Sequence, residues 1–127
     1  MIKVSLNNIV NSIDTFQAIM QQSFKGSLAF KIARLARELN KEMETFSEQR
    51  RKIVNEYSLK DENGEIKADE NGNIQITPDR IQEFNTEFTN LLNTEVEINA
   101  DKLPMDNIDD FEVSPQQMLN IEMFFEE

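Results

Sequence analysis

The sequence predicts an α+β protein: a long antiparallel helical hairpin with a small antiparallel β element and two further helices. Three observations carry this expectation. Apolar residues recur at spacings of three and four through most of the first 57 positions. Two Asn-Gly turns lie eight residues apart, each followed by isoleucine at the second position beyond the glycine. Finally, "TP" at 77–78 and "SP" at 114–115 each open another helically spaced series.

Leu6, Ile9, Ile13, Phe16, Met20 and Phe24 form one stripe, so the first helix is expected over 6–24. Gly26 should stop it and Ser27 should cap the next. Leu28, Ile32, Leu35, Leu39, Met43, Phe46, Ile53 and Tyr57 continue the pattern, which gives a hairpin over 6–57. Its second arm outruns the first by about ten residues, about 15 Å at the helical rise. Phe46, Ile53 and Tyr57 on that overhang need a cover. Arg50 falls on the same stripe, where it would lay its stem along the surface or pair with a carboxylate.

The passage "SLKDENGEIKADENGNIQITP" raises the question of a calcium loop. Such a loop needs oxygen ligands at positions 1, 3 and 5, glycine at 6 and glutamate at 12. With Gly64 at position 6, position 1 falls on Leu59; with Gly72 there, position 1 is Lys67 and position 12 is Pro78. Both registers fail at the first ligand. Asn-Gly suits a bulged hairpin turn instead. A β-turn region is therefore expected over 57–77, as a small meander or one hairpin with a long loop, with Ile66, Ile74 and Ile76 inward.

Thr77 and Pro78 open a helix expected over 78–92, whose Ile81, Phe84, Phe88 and Leu91 are suited to cover the overhang. "TEVEINA" alternates, so a strand is expected over 94–99 with Glu95 and Glu97 on its wet face, forming the small β element together with the Asn-Gly region. A polar connector through 101–110 precedes a helix over 114–125 with Met118, Ile121 and Phe125 on one face. No linker is long enough to divide the chain, and residues 1–127 are expected to form one domain.

Cysteine, histidine and tryptophan are absent, which removes thiolate chemistry, disulfides and the usual general base at neutral pH. No cofactor or metal is expected. "MIKVSLNNIV" lacks a basic region followed by an apolar run, and no stretch approaches the roughly 20 apolar residues of a membrane span. Charge is unevenly placed. Residues 1–60 carry ten basic and six acidic side chains, a net of +4. Residues 61–127 carry three and eighteen, a net of −15. A basic helical layer could dock on an acidic one within the fold, or an acidic surface could face a basic partner.

Two surface patches are candidates. Asp106, Asp109, Asp110 and Glu112 form a dense acidic group in a polar connector. Adjacent carboxylates there read as solvated, whereas a glycosidase pair faces itself across a cleft. On the second helix Phe30, Arg34, Arg37 and Lys41 lie opposite the core stripe. An exposed phenylalanine beside three cations suits docking. The strongly acidic balance argues against direct nucleic-acid binding.

The order of features has a counterpart. A charged helix ending in "EQRRKIVNEYSLKDENGE", a second "DENGN", then "EFNTEFTNLLNTEVEI" and "FEVSPQQMLNIE" resemble an uncharacterised family of small proteins encoded by tailed bacteriophages and prophages, a domain of unknown function. The similarity runs from about Leu28 to the C-terminus. It implies a phage origin and a role outside catalysis, and supplies no active-site residues. The expected function is a non-enzymatic interaction protein in the host cytoplasm, binding a host or phage protein through its acidic face, as an inhibitor or nucleic-acid mimic. The alternative is a virion component or assembly factor, and a homo-oligomer is compatible with either.

Overall fold

The structure is a computed structural model that describes residues 1–60, 62–64, 70–71 and 75–126. It is α+β, as expected. The elements are β1 (Ile2–Ser5), α1 (Leu6–Ile19), α2 (Gly26–Tyr57), α3 (Ile81–Leu92), β2 (Glu95–Ile98) and α4 (Pro115–Ile121), with 3-10 turns at Met105–Asp110 and Glu122–Phe124. The chain divides into two compact units, Met1–Glu44 with Thr94–Glu127, and Thr45–Asn93. Helix α2 passes from one into the other.

In the first unit β1 and β2 pair antiparallel, with Ile2 opposite Ile98 and Val4 opposite Val96. The alternation expected of 94–99 is observed, since Glu95 and Glu97 are exposed and Ile98 is buried. The strand's partner differs from the expectation. It is the N-terminal segment rather than the Asn-Gly region, and Lys3 lies directly across from Glu97. Ser5 ends β1 and begins α1, its Oγ accepting from the Asn8 N–H at 3.2 Å. The Leu6 N–H donates to Thr94 O at 2.9 Å and closes the corner.

Helix α1 ends at Ile19, five residues short of the expected 24. Its last turn tightens through Gln21 N–H to Ala18 O and Gln22 N–H to Ile19 O. Leaving the helix frees Phe24 to pack its ring 5.0 Å from that of Phe111. The buried stripe also turns: Ser12 and Thr15 are buried, Ile13 is half-buried and Met20 is exposed. Ser12 tolerates full burial because its hydroxyl donates to Ile9 O at 2.9 Å. Gly26 opens α2 instead of closing α1, and Ser27 sits inside the first turn rather than at the cap.

Helix α1 lies against α4. Phe16 meets Phe124 edge-on at 5.3 Å, and Phe111 meets Phe125 at 5.2 Å. Ile9, Ile19, Leu35, Leu39, Leu103 and Ile121 fill the same core with no exposed surface. The expected Ser-Pro opening of α4 is a complete capping box between Ser114 and Gln117. Beyond it the tail returns to Leu103, whose N–H donates to Phe124 O and whose carbonyl accepts from Glu126.

In the second unit α3 covers the end of α2. Tyr57 meets Phe84 at 6.1 Å, and Phe46 meets Phe88 at 6.2 Å. The cover is thinner than expected, because Phe84, Phe88 and Leu91 are half-buried and Ile81 is exposed. Val54 is buried where Ile53 was expected to be, and residues 47–52, Arg50 included, are all exposed. Helix α3 begins at Ile81, since residues 78–80 form a turn closed by Arg80 N–H to Thr77 O at 2.9 Å. Thr77 therefore does not cap it. The β-turn region closes at its base through the antiparallel bridge Ser58–Ile76 and Leu59 N–H to Gln75 O at 2.8 Å. Gly64 has a φ of +80°, the left-handed value its turn requires. Gly72, Ile66 and Ile74, and the middle of the expected meander, lie outside the described residues.

Candidate functional site

Three of the four acidic candidates sit on one turn of the first unit, and Glu112 follows it. Pro104 leads in with extended backbone, and residues Met105–Asp110 wind as a 3-10 turn. Apolar anchors hold both ends: Leu103 is fully buried against the C-terminal tail, and Phe111 lies between Phe24 and Phe125. Between those anchors Asp106, Asp109 and Asp110 are exposed, and so is Glu112 just past the turn. Asn107 Nδ2 donates to Asp110 Oδ2 at 3.1 Å. The Gln22 side chain bridges both backbone groups of Glu112, donating to its carbonyl at 2.8 Å and accepting from its N–H at 3.1 Å. The Glu112 carboxylate is thus presented by a backbone fixed from a distant part of the sequence.

Beside this turn lies a cavity of about 410 Å³ lined by Ser23, Phe24, Lys25, Leu28, Asn107 and Asp110. Phe24 and Leu28 supply apolar walls, while Asp110 and Lys25 put one charge of each sign on its border. Among the described residues no ion pair within 4 Å engages Asp106, Asp109, Asp110 or Glu112.

The second candidate patch is also brought together. Phe30 is 68% exposed on α2, and Arg34, Arg37 and Lys41 are exposed with it. Glu38 runs beneath: its Oε1 lies 3.2 Å from Lys41 Nζ and 3.9 Å from Arg37 Nε. The two cations keep 68% and 63% of their side-chain exposure, against 16% for Glu38. The carboxylate steadies the cations without covering them. These are weak surface pairs, worth about 0.2–1 kcal/mol each.

A third cluster, in the second unit, was not anticipated. The Arg80 guanidinium stacks over the Tyr57 ring at 4.3 Å, donates to Glu56 O at 3.1 Å and lies about 4 Å from the carboxylates of Glu56 and Glu83. Burial, then bonding to Glu87, then the charges of Glu87, Glu56 and Glu83 push the Tyr57 hydroxyl above its ordinary range. A depression of about 460 Å³ opens beside the ring, bordered by Asp79, Glu83 and Glu87. In the sequence Arg80 only precedes Ile81, the first residue of α3, and no periodic spacing marks a guanidinium that lies over an aromatic ring. The arrangement clamps the end of α2 to the start of α3.

Among the described residues, no three carboxylates converge as metal ligands would, and no helix is long and apolar enough to cross a membrane. No family model, curated protein or solved structure matches the chain.

Proposed function

We propose that the chain is a non-enzymatic interaction protein of tailed-phage type, which binds a host or phage protein through its acidic turn. One observation carries this reading: Asp106, Asp109, Asp110 and Glu112 are all exposed on a backbone pinned at both ends. A multiply charged surface on a backbone anchored at both ends offers a basic partner several contacts at little ordering cost. A protein surface that normally holds nucleic-acid phosphates is such a partner, and occupying it would make the chain an inhibitor acting in the host cytoplasm. The phage assignment rests on the resemblance of the motifs between Leu28 and the C-terminus. The test is capture of proteins from host lysate across a salt series. Raising salt from about 50 mM to about 500 mM should release the specific partner, because screening shortens the reach of exposed charges. A partner retained equally at both ends of the series contradicts the acidic-face reading.

A second reading, a virion component or assembly factor, is favoured by a separate observation. The sheet has two strands among the described residues, so each offers an outer edge, and Phe30 is exposed on a long helix. Mass spectrometry of purified particles separates the two: a virion component is present in fixed copy number, an inhibitor is absent.

A further inference from the structure

We propose that a second copy of this chain occupies the acidic turn, with the Phe30 ring of one copy entering the cavity beside Asp110 of the next. Arg34, Arg37 and Lys41 then meet Asp106, Asp109, Asp110 and Glu112. This inference rests on the reading of that turn as a contact face, and names an occupant that the chain itself carries.

The donor surface is compact. On a helix advancing 100° per residue, positions 30, 34, 37 and 41 fall within about 60° of arc and span about 16 Å. Phe30 stands at one end, 68% exposed, and the three cations follow it in a row. Glu38 lies within 4 Å of Arg37 and Lys41, and both cations keep most of their side-chain exposure. The acceptor surface has the complementary elements. Its cavity of about 410 Å³ has Phe24 and Leu28 as walls, large enough for a phenyl ring, and Asp110 stands on its border. Asp106 and Asp109 are exposed on the same turn and Glu112 just past it, and Lys25 is the cation among the described residues that line the cavity. An apolar insert at one end followed by paired charges gives register as well as attraction.

The proposed contact joins two different surfaces. Leu28, which lines the cavity, is buried, while Phe30 is about 200° further round the same helix and exposed. The Phe30 ring and the Leu28 wall of the cavity therefore lie on opposite sides of α2. Such a contact is heterologous, so it continues head to tail beyond two copies. The surface is small, which places the association in the weak class.

Sedimentation of the whole chain over a wide concentration range tests this. The wild type should grow past a dimer as concentration rises, and high salt should reverse the growth. Phe30→Ala alone should weaken association by about thirtyfold, the effect of losing an aromatic anchor. Two surface variants decide the geometry: Phe30→Ala with Arg34→Glu on the donor face, and Asp106→Asn, Asp109→Asn, Asp110→Asn and Glu112→Gln on the acceptor face. Each alone should be monomeric, and their equimolar mixture should stop at a heterodimer, because one intact donor meets one intact acceptor. A monomeric wild type, a wild type that saturates at two copies, or a mixture that stays monomeric overturns the proposal. If the wild type is monomeric while salt-sensitive capture of another protein persists, the homotypic contact alone has failed and the acidic-face reading stands.

Discussion

Tyr57 shows how one side chain serves both packing and charge. Its ring is 5% exposed between Phe84 and the Arg80 guanidinium, and its hydroxyl is held protonated by burial and by the surrounding carboxylates. A tyrosine whose folded pKa exceeds the unfolded value near 10 favours the folded state fully below pH 10. That contribution is lost as pH rises through the folded pKa. Melting temperature should therefore fall more steeply above pH 10 in the wild type than in Tyr57→Phe, and equal slopes would show that the hydroxyl is not coupled to folding. Sequence periodicity located Tyr57 because its ring occupies a stripe position. It did not locate Arg80, since a guanidinium lying over an aromatic face follows no periodic rule. The same limit applied to Gln22, whose amide holds Glu112 across 90 positions of sequence.

At the level of elements, the two aromatic groups differ in depth. Phe124 has no exposed surface and meets Phe16, so Phe124→Ala should cost about 3–5 kcal/mol in chemical denaturation. Phe84 is half-buried, and Phe84→Ala should cost about half as much. Equal losses would contradict the thinner cover that α3 gives to α2. The long second helix, α3, β2 and the Ser-Pro opening of α4 were legible, because each has its own periodicity or cap. Strand β1 was not. Four residues running straight into a helix give too short an alternation to stand out, and its partner lies 90 to 96 positions away. The end of α1 was overshot for a related reason: Met20 and Phe24 continue the helical spacing, yet Phe24 finds its contact outside the helix. Ser12 and Thr15 were overlooked as core residues because their polarity hides hydroxyls whose burial local bonding permits, as Ser12 shows.

On the scale of the whole molecule, charge is the dominant property. The ion pairs shown are local: Arg37 and Lys41 with Glu38, and Arg80 with Glu56 and Glu83. None of these joins a cation of residues 1–60 to a carboxylate of residues 61–127, so docking of a basic layer on an acidic layer is not what these pairs achieve. Millimolar calcium should leave the melting temperature unchanged, because neither Asn-Gly register supplies the first ligand. A rise with calcium but not with magnesium would contradict that. The role proposed for the acidic turn is contact and not folding. Its most direct test is the variant carrying Asp106→Asn, Asp109→Asn, Asp110→Asn and Glu112→Gln, measured for stability and for capture of a partner from lysate. Stability should stay within about 0.5 kcal/mol per substitution, as for exposed positions, while salt-sensitive capture is lost. A variant that unfolds, or one that captures the same partner undiminished, would rule that role out.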